Sequence, residues 1–279
     1  MPIITFWNTS REQTGQTLSV VATATNMAIQ HNKRILLIST SLNDDTMKNC
    51  FWREKNNFLS GIFGANVNVV NQNGIEGLDR IVRSNKISPE TIKDYTKVVL
   101  TNRLEVLLGL TGTDEQYHNL CKQYQEIIVL AGQFYDMVFV DLDKRMSKVM
   151  QKEILKRSDI IVPMVSQRLD TIKENREYFK KAPDVNIQKA IFTLGRYDDK
   201  SKNNAKNLSR NILKTKEIIN TIPYNTLLFD AAQEGDLVDL LLNIARLKGK
   251  DENTEFLSEV TRLVNDINSK ISQMQQMRN

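Results

Sequence analysis

The sequence predicts an α/β fold: a doubly wound, mostly parallel sheet flanked by helices. The first observation is a set of short runs rich in Ile and Val that do not alternate with polar residues, as at 35–38, 138–140 and 160–162. Strands of this kind are covered on both faces, as in parallel sheets. The second observation is that amphipathic stretches separate these runs. Repeated strand–helix alternation produces right-handed crossovers between parallel strands.

The predicted elements follow one another in that alternating order. Strands are predicted at residues 3–7, 34–39, 104–108, 137–141, 160–165, 189–194 and 218–222. Helices are predicted at residues 16–31, 113–133, 144–157, 170–181 and 200–216. A last amphipathic helix has apolar residues at heptad spacing between Leu257 and Met274, which fits packing on the domain or a short coiled coil. We therefore expect a domain over residues 1–248 and a C-terminal amphipathic helix over 249–279.

The composition excludes several other classes of protein. With 279 residues, 41% of them apolar, and a net charge of +5, the chain is not a disordered one. The low content of Gly and Pro excludes collagen-like and low-complexity chains, and two cysteines exclude a disulfide scaffold. No apolar run approaches the roughly 18 residues of a membrane helix, and the start lacks the features of a signal peptide. We expect a cytoplasmic protein, with peripheral attachment at the inner face of the membrane as the alternative.

The loop after the first predicted strand is a candidate ligand site, because open parallel sheets bind ligands at the carboxyl ends of their strands. A phosphate-binding loop uses glycines for close backbone approach, a lysine that reaches the phosphates, and Ser or Thr to hold Mg²⁺. Gly15 and Thr17 fit this template, whereas Gln16 stands at the lysine position and Ser10 at the first glycine position. An ordinary strand-to-helix turn is the alternative interpretation.

A second candidate is the strand at 137–141, which ends in Asp141. An apolar strand with a terminal Asp is the Walker B pattern, in which the carboxylate holds Mg²⁺ directly or through water. Strands also end in Asp to cap a following helix. The segments 74–78 and 87–90 before this strand, and 158–162, 222–225 and 230–238 after it, are more specific by their order and spacing than any one of them alone.

Taken together, these segments resemble the MinD/ParA group of P-loop ATPases, which carry a deviant Walker A loop. The resemblance runs over most of residues 2–245. Within that group the chain is similar to pilus-assembly ATPases of the TadZ/CpaE type, because it carries neither a DNA-binding nor a sugar-modifying domain. The resemblance implies ATP or ADP with Mg²⁺ as the ligand, and a homodimer in which one loop cation reaches the partner's nucleotide.

The resemblance also assigns roles to particular residues. Nucleotide binding falls on Ser10, Arg11, Gln13, Thr14, Gly15, Gln16, Thr17, Leu18, Arg196 and Pro223. The metal falls on Thr17 and Asp141, and the catalytic roles fall on Asp141 and on Arg11, the cation that would cross the dimer.

The chain departs from the family pattern where the chemistry of hydrolysis depends on it. Gln16 lacks the charge of the family lysine, and Glu12 adds a carboxylate beside the γ-phosphate. Ser39 and Ser41 replace two carboxylates after the second strand, and a serine cannot accept the proton of an attacking water. Gly195 replaces an asparagine that contacts adenine. We therefore predict an ATPase fold whose hydrolysis is weak or absent.

Three functions remain open at this point. The first is a nucleotide-responsive dimeric scaffold that positions a membrane-associated pilus or secretion machine. The second is an active ParA-like ATPase that binds DNA nonspecifically through basic residues spaced by four, which share a helix face. These residues are Lys144, Lys148, Lys152 and Lys156, and then Lys202, Lys206, Arg210 and Lys214. The same stripes fit a lipid headgroup surface, an acidic partner or a solvated face. The third function is a ligase or reductase on this fold, for which no further set of catalytic residues is visible.

Overall fold

The protein forms one eight-stranded sheet in a computed structural model that describes residues 1–9, 13–53, 74–84, 88–181, 185–210 and 219–276. The strands are β1 Ile3–Trp7, β2 Ile35–Ser39, β3 Lys97–Leu100, β4 Leu104–Leu107, β5 Met137–Asp141, β6 Ile160–Val165, β7 Thr193–Tyr197 and β8 Asn220–Pro223. Their order across the sheet is β3-β4-β2-β5-β1-β6-β7-β8. Every pairing is parallel except that of β3 with β4 at the edge.

Helices cover both faces of this sheet. They are α1 Gln16–Gln30, α2 Thr46–Asn49, α3 Ile75–Arg83, α4 Asp114–Cys121, α5 Tyr124–Phe134, α6 Lys148–Arg157, α7 Leu169–Lys181, α8 Ala205–Leu208, α9 Thr226–Glu234, α10 Leu237–Arg246 and α11 Glu252–Gln276. Two 3₁₀ turns, Pro89–Tyr95 and Ile187–Lys189, complete the described elements. None of these helices combines the length and the apolar composition that crossing a bilayer requires.

The centre of the sheet is buried on both sides, as the apolar runs predicted. All residues of β1, β2, β5 and β6 are buried. One core, on the face of α1, α10 and α11, includes Val20, Met27 and Phe256. The other, on the face of α4, α5 and α6, includes Tyr124 and Ile154. The two layers fix the sheet and leave its carboxyl edge open to solvent.

The last helix, α11, packs on the rest of the chain. Its apolar side chains are buried against α1 and β8, namely Phe256, Val260, Leu263, Val264, Ile267 and Ile271. Polar contacts fix the docking, since Arg262 Nε donates to Asn220 Oδ1 at 3.0 Å and Asn220 Nδ2 donates to Asp266 at 2.8 Å. The heptad face therefore faces the chain's own domain.

Several predicted bounds were wrong. The helix at 113–133 is two helices, α4 and α5, and the hydroxyl of Tyr117 on α4 donates to the carbonyl of Thr40 at 2.9 Å. The strand at 189–194 starts later, at Thr193, because the side chain of Asn186 caps the 3₁₀ turn before it. The antiparallel strand β3 was not predicted. Its residues Lys97 and Val98 are both exposed, so its sequence lacks the run of buried apolar residues that marks the central strands.

The basic stripes are also shorter than predicted. Ser147 is the N-cap of α6, so Lys144 lies in the turn before the helix. Within the described part of the predicted helix at 200–216, α8 starts at Ala205, so Lys202 precedes it. Lys214 lies outside the described residues.

Candidate functional site

A cleft of about 770 Å³ lies at the carboxyl edge of the sheet. It is built from the end of β1, the start of α1, the loops after β2 and β5, and the ends of β7 and β8. β1 lies between β5 and β6, where the chain changes from one half of the sheet to the other. Open α/β sheets bind their ligands at such a point.

The first wall of the cleft is the amino end of α1. Gly15 is its N-cap, with φ 70° and ψ 22°, a left-handed conformation that glycine adopts without steric cost. In the described part of the chain, no side chain caps α1 and its first turn holds no acidic residue. The free N–H groups and the positive end of the helix dipole therefore face the cleft, which favours an anion there.

Thr14 adds an unsatisfied group to this wall. Its side chain is only 2% exposed, and its Oγ1 has no hydrogen-bond partner among the described residues. A buried hydroxyl without a partner costs free energy, so this atom has the capacity to donate to a ligand. The fit of the residues to a phosphate group is therefore good at the helix end.

The side chain of Gln16, at the lysine position of the loop, forms hydrogen bonds with other residues of the protein. Its Oε1 accepts from Asn8 Nδ2 at 2.6 Å. Its Nε2 donates to Asp141 Oδ1 at 2.6 Å and to the carbonyl of Leu142 at 3.1 Å. The side chain is buried. Its amide thus joins the ends of β1 and β5 to the start of α1, and both protons of its nitrogen are in use.

Asp141 is the other half of this junction. Thr17 Oγ1 donates to its Oδ2 at 2.8 Å, so each carboxylate oxygen has one protein donor. Burial raises the pKa of the Asp141 carboxyl to about 6, and the hydrogen bonds from Gln16 and Thr17 act in the opposite direction. A hydroxyl and a carboxylate are hard oxygen ligands of the kind that Mg²⁺ takes. The pair fits the predicted metal role, in contact with the cleft.

The loops after β2 and β5 are tied to one another across the cleft. Arg145 donates to Asp143 Oδ2 at 2.7 Å and to the carbonyl of Leu42 at 2.6 Å. The backbone N–H of Asp143 donates to Thr40 Oγ1 at 2.8 Å. The two loops therefore form one unit. Sequence reasoning missed Arg145 and Asp143, although the acidic residue two positions after Asp141 was a visible signal.

Ser39 and Ser41, at the positions of the missing carboxylates, contact one another. Their hydroxyl oxygens are 2.8 Å apart. Ser39 is buried and Ser41 lines the cleft. A serine pair of this kind has no acceptor able to take a proton from water at neutral pH.

The far end of the cleft is aromatic and apolar. Tyr224 and Phe229 are 52% and 47% exposed, and they line the cleft with Ile222 and Pro223. The guanidinium carbon of Arg196 lies 5.6 Å from the centre of the Tyr224 ring. This end offers flat apolar surface, in contrast to the polar helix end.

The cleft collects nearly all of the predicted site residues. Those that line it are Gln13, Thr14, Gly15, Gln16, Thr17, Leu18, Asp141, Arg196 and Pro223. Ser10 and Arg11, and Glu12 with them, lie outside the described residues. Asn8, Tyr224 and Phe229 also line the cleft and were not predicted as site residues. No group of three or more His, Cys, Asp or Glu side chains suited to a metal ion occurs within the described ranges.

Comparison with solved structures places this architecture among known folds. A ParA family ATPase from Chlorobium tepidum TLS superposes with a TM-score of 0.69 at 12% identity, over 94% of this chain and 98% of that chain. A MinD protein complexed with Mg-ADP from Pyrococcus horikoshii OT3 gives 0.63 at 12% identity, over 95% of each chain. A plasmid partition protein from Borrelia burgdorferi B31 bound to AMPPNP gives 0.59 at 16% identity, over 95% of this chain and 98% of that chain.

The sequence itself finds no such match. No protein-family model matches it, and neither does any curated protein. At identities this low the likeness is one of fold. The predicted fold class is confirmed: the chain has the mostly parallel, helix-flanked sheet of the ParA and MinD P-loop ATPases.

Proposed function

We propose that this protein is a nucleotide-binding scaffold on the ParA/MinD fold, which holds ATP or ADP in the cleft and hydrolyses it weakly or not at all. One observation carries the proposal. Gln16, the side chain at the lysine position, is neutral, and it forms hydrogen bonds with Asn8, Asp141 and Leu142. Gln16 therefore lacks the charge that stabilises a transferring phosphoryl group.

Phosphate binding is supported by the amino end of α1. An uncapped helix start, with Gly15 in a left-handed conformation and the buried, unpartnered hydroxyl of Thr14, offers donors to a phosphate. Two of the solved structures with this fold are complexes with a nucleotide or its analogue. The phosphates would lie against the α1 end and the base toward Tyr224.

Mg²⁺ would be held by Thr17 and Asp141, whose oxygens are 2.8 Å apart. Bound there, the ion would neutralise part of the phosphate charge, a role that grows in importance when the loop lysine is absent. The chain's own residues then orient the nucleotide. Ser39 and Ser41 supply no general base, which accounts for the weak hydrolysis that we propose.

Dimerisation through Arg11, and the positioning of a membrane-associated pilus or secretion machine, remain part of the proposal on the strength of the sequence resemblance. DNA binding through the basic stripes is the alternative function. Its structural support is reduced, because Lys144 and Lys202 lie outside helices α6 and α8.

The test is calorimetric titration with ATP and ADP in the presence of Mg²⁺, for the natural protein and for Gln16→Lys. We expect Gln16→Lys to bind ATP at least about tenfold more tightly, since a charge-assisted hydrogen bond contributes about 1.5–3 kcal/mol. Gln13→Lys adds the same charge to an exposed cleft residue and is the matched control, with a smaller effect. Brisk ATP hydrolysis by the natural protein that disappears in Asp141→Ala would contradict the proposal.

A further inference from the structure

The aromatic end of the cleft carries an inference about which nucleotides the site accepts. The question is whether a base is held by its flat faces or recognised by hydrogen bonds along its polar edge. Three features bear on it: the surface formed by Tyr224 and Arg196, the lack of space for a side chain at Gly195, and the hydrogen bonds that Asn225 already makes within the protein.

The faces available to a base are well defined. Tyr224, directly after β8, and Phe229 on α9 both line the cleft and are about half exposed to solvent. Arg196 lies over the Tyr224 ring at 5.6 Å, and no ion pair joins it to an acidic group in the described ranges. Aromatic rings and a guanidinium plane both stack on bases, and such stacking is tolerant of base identity because every base has a π-face.

Arg196 is held in place by its backbone and its stem. Its φ is 51°, a left-handed conformation that is unusual for a residue with a side chain. A Cβ on Gly15 would lie 3.0 Å from Arg196 Cγ, so the stem of Arg196 lies directly on the α1 end. The guanidinium therefore sits at the boundary between the phosphate end and the aromatic end of the cleft.

On β7, Gly195 offers no side chain that could read the edge of a base. Gly195 precedes Arg196, and a Cβ there would lie 1.9 Å from the carbonyl oxygen of Thr14 and 2.9 Å from Met164 Cε. The loop occupies the space that a side chain would need. No hydrogen-bonding side chain can project from this position toward a base without moving the loop.

Asn225, which follows β8 and lines the cleft, has both of its polar atoms engaged. Its Oδ1 accepts from the backbone N–H of Leu228 at 2.8 Å, which caps α9. Its Nδ2 donates to Asn253 at 2.8 Å. It is also 4% exposed, so it does not offer an amide to the cleft.

We propose that this end of the cleft holds a nucleobase by its faces and does not read its edge, so that adenine and guanine nucleotides bind with similar affinity. The inference rests on the proposed nucleotide site and adds its ligand class, which is purine nucleotides in general. Tyr224 supplies the stacking surface, and the guanidinium of Arg196 lies over its ring next to the amino end of α1.

The experiment compares ATP, GTP and inorganic tripolyphosphate by calorimetric titration in the same Mg²⁺ buffer. We expect ATP and GTP to agree within tenfold, and both to bind at least tenfold more tightly than tripolyphosphate. In Tyr224→Ala, ATP and GTP should weaken together by about tenfold, while tripolyphosphate binding is unchanged. Leu227→Ala removes a similarly exposed apolar side chain that does not line the cleft, and should change none of the three.

The outcomes separate the two proposals. An ATP preference over GTP of more than tenfold shows that the edge is read and overturns this inference alone. Tripolyphosphate binding as tightly as ATP also overturns it, since the base then contributes nothing. Failure of ATP, GTP and tripolyphosphate to bind at all overturns the proposed nucleotide site itself.

Discussion

The Gln16 amide gives the sharpest test of how this cleft is held together. Replacing it in Gln16→Leu keeps a side chain of similar size but removes three hydrogen bonds, at 2.6, 2.6 and 3.1 Å. Two involve neutral groups, worth about 1 kcal/mol each, and the third involves a carboxylate, worth about 1.5–3 kcal/mol. The buried partners Asn8 and Asp141 are left without that donor or acceptor. We expect a loss of about 4 kcal/mol in the free energy of unfolding.

Urea denaturation followed by circular dichroism measures this loss, and thermal melting should show a drop of roughly 8 °C at about 2 °C per kcal/mol for a chain of this size. Gln30→Leu is the matched control. It makes the same chemical change on the same helix at an exposed position. It removes two long hydrogen bonds, to Asn26 and Thr261 at 3.2 Å each, so its loss should stay within about 1 kcal/mol. A loss below about 1 kcal/mol in Gln16→Leu, or an equal loss in the control, would refute the idea that the amide holds the loop.

Two further predictions concern the same cleft. Because burial raises the Asp141 pKa from 3.8 to about 6, the folded state binds more protons than the unfolded state between these values. Stability should therefore fall by about 2 kcal/mol as pH rises from about 4 to about 7. Urea titrations across pH should show this slope in the natural protein and lose it in Asp141→Asn. Gly195→Ala should lower both melting temperature and nucleotide affinity by driving a Cβ into the Thr14 carbonyl, whereas Gly74→Ala, whose Cβ meets no described atom within 4 Å, should not. A persistent slope in Asp141→Asn, or equal effects of the two alanines, would contradict these arguments.

The sheet could be predicted from the sequence because its central strands are buried on both faces. The bounds of β1, β5 and β6 match the apolar runs residue for residue. Where only one face is buried, or neither, the signal fades, as in β3 with its exposed Lys97 and Val98. The break between α4 and α5 was not predictable either, because the helical pattern of the sequence continues through it.

The candidate site could be located from the sequence but not understood from it. The loop and Asp141 were identified by residue type and order, and the structure brings them into contact. That Gln16 uses its amide on Asp141, across 125 positions of the chain, depends on how β1 and β5 pair. The same holds for Arg145 and Leu42, which are distant in sequence and bonded in the fold. Pairwise contacts of this kind carry no local pattern.

The hydrogen bonds of Gln16 also bear on how the protein would respond to a nucleotide. A charged lysine at this position could exchange the Asp141 carboxylate for a phosphate, because both are anions that attract it. A neutral amide with three buried partners gains little from such an exchange and loses the contacts with Asn8 and Leu142. The described part of the loop is thus fixed before any ligand arrives. A ligand can only shift an equilibrium by its differential affinity for two states, so nucleotide binding here should add stability without moving Gln16, as in a scaffold and not a switch.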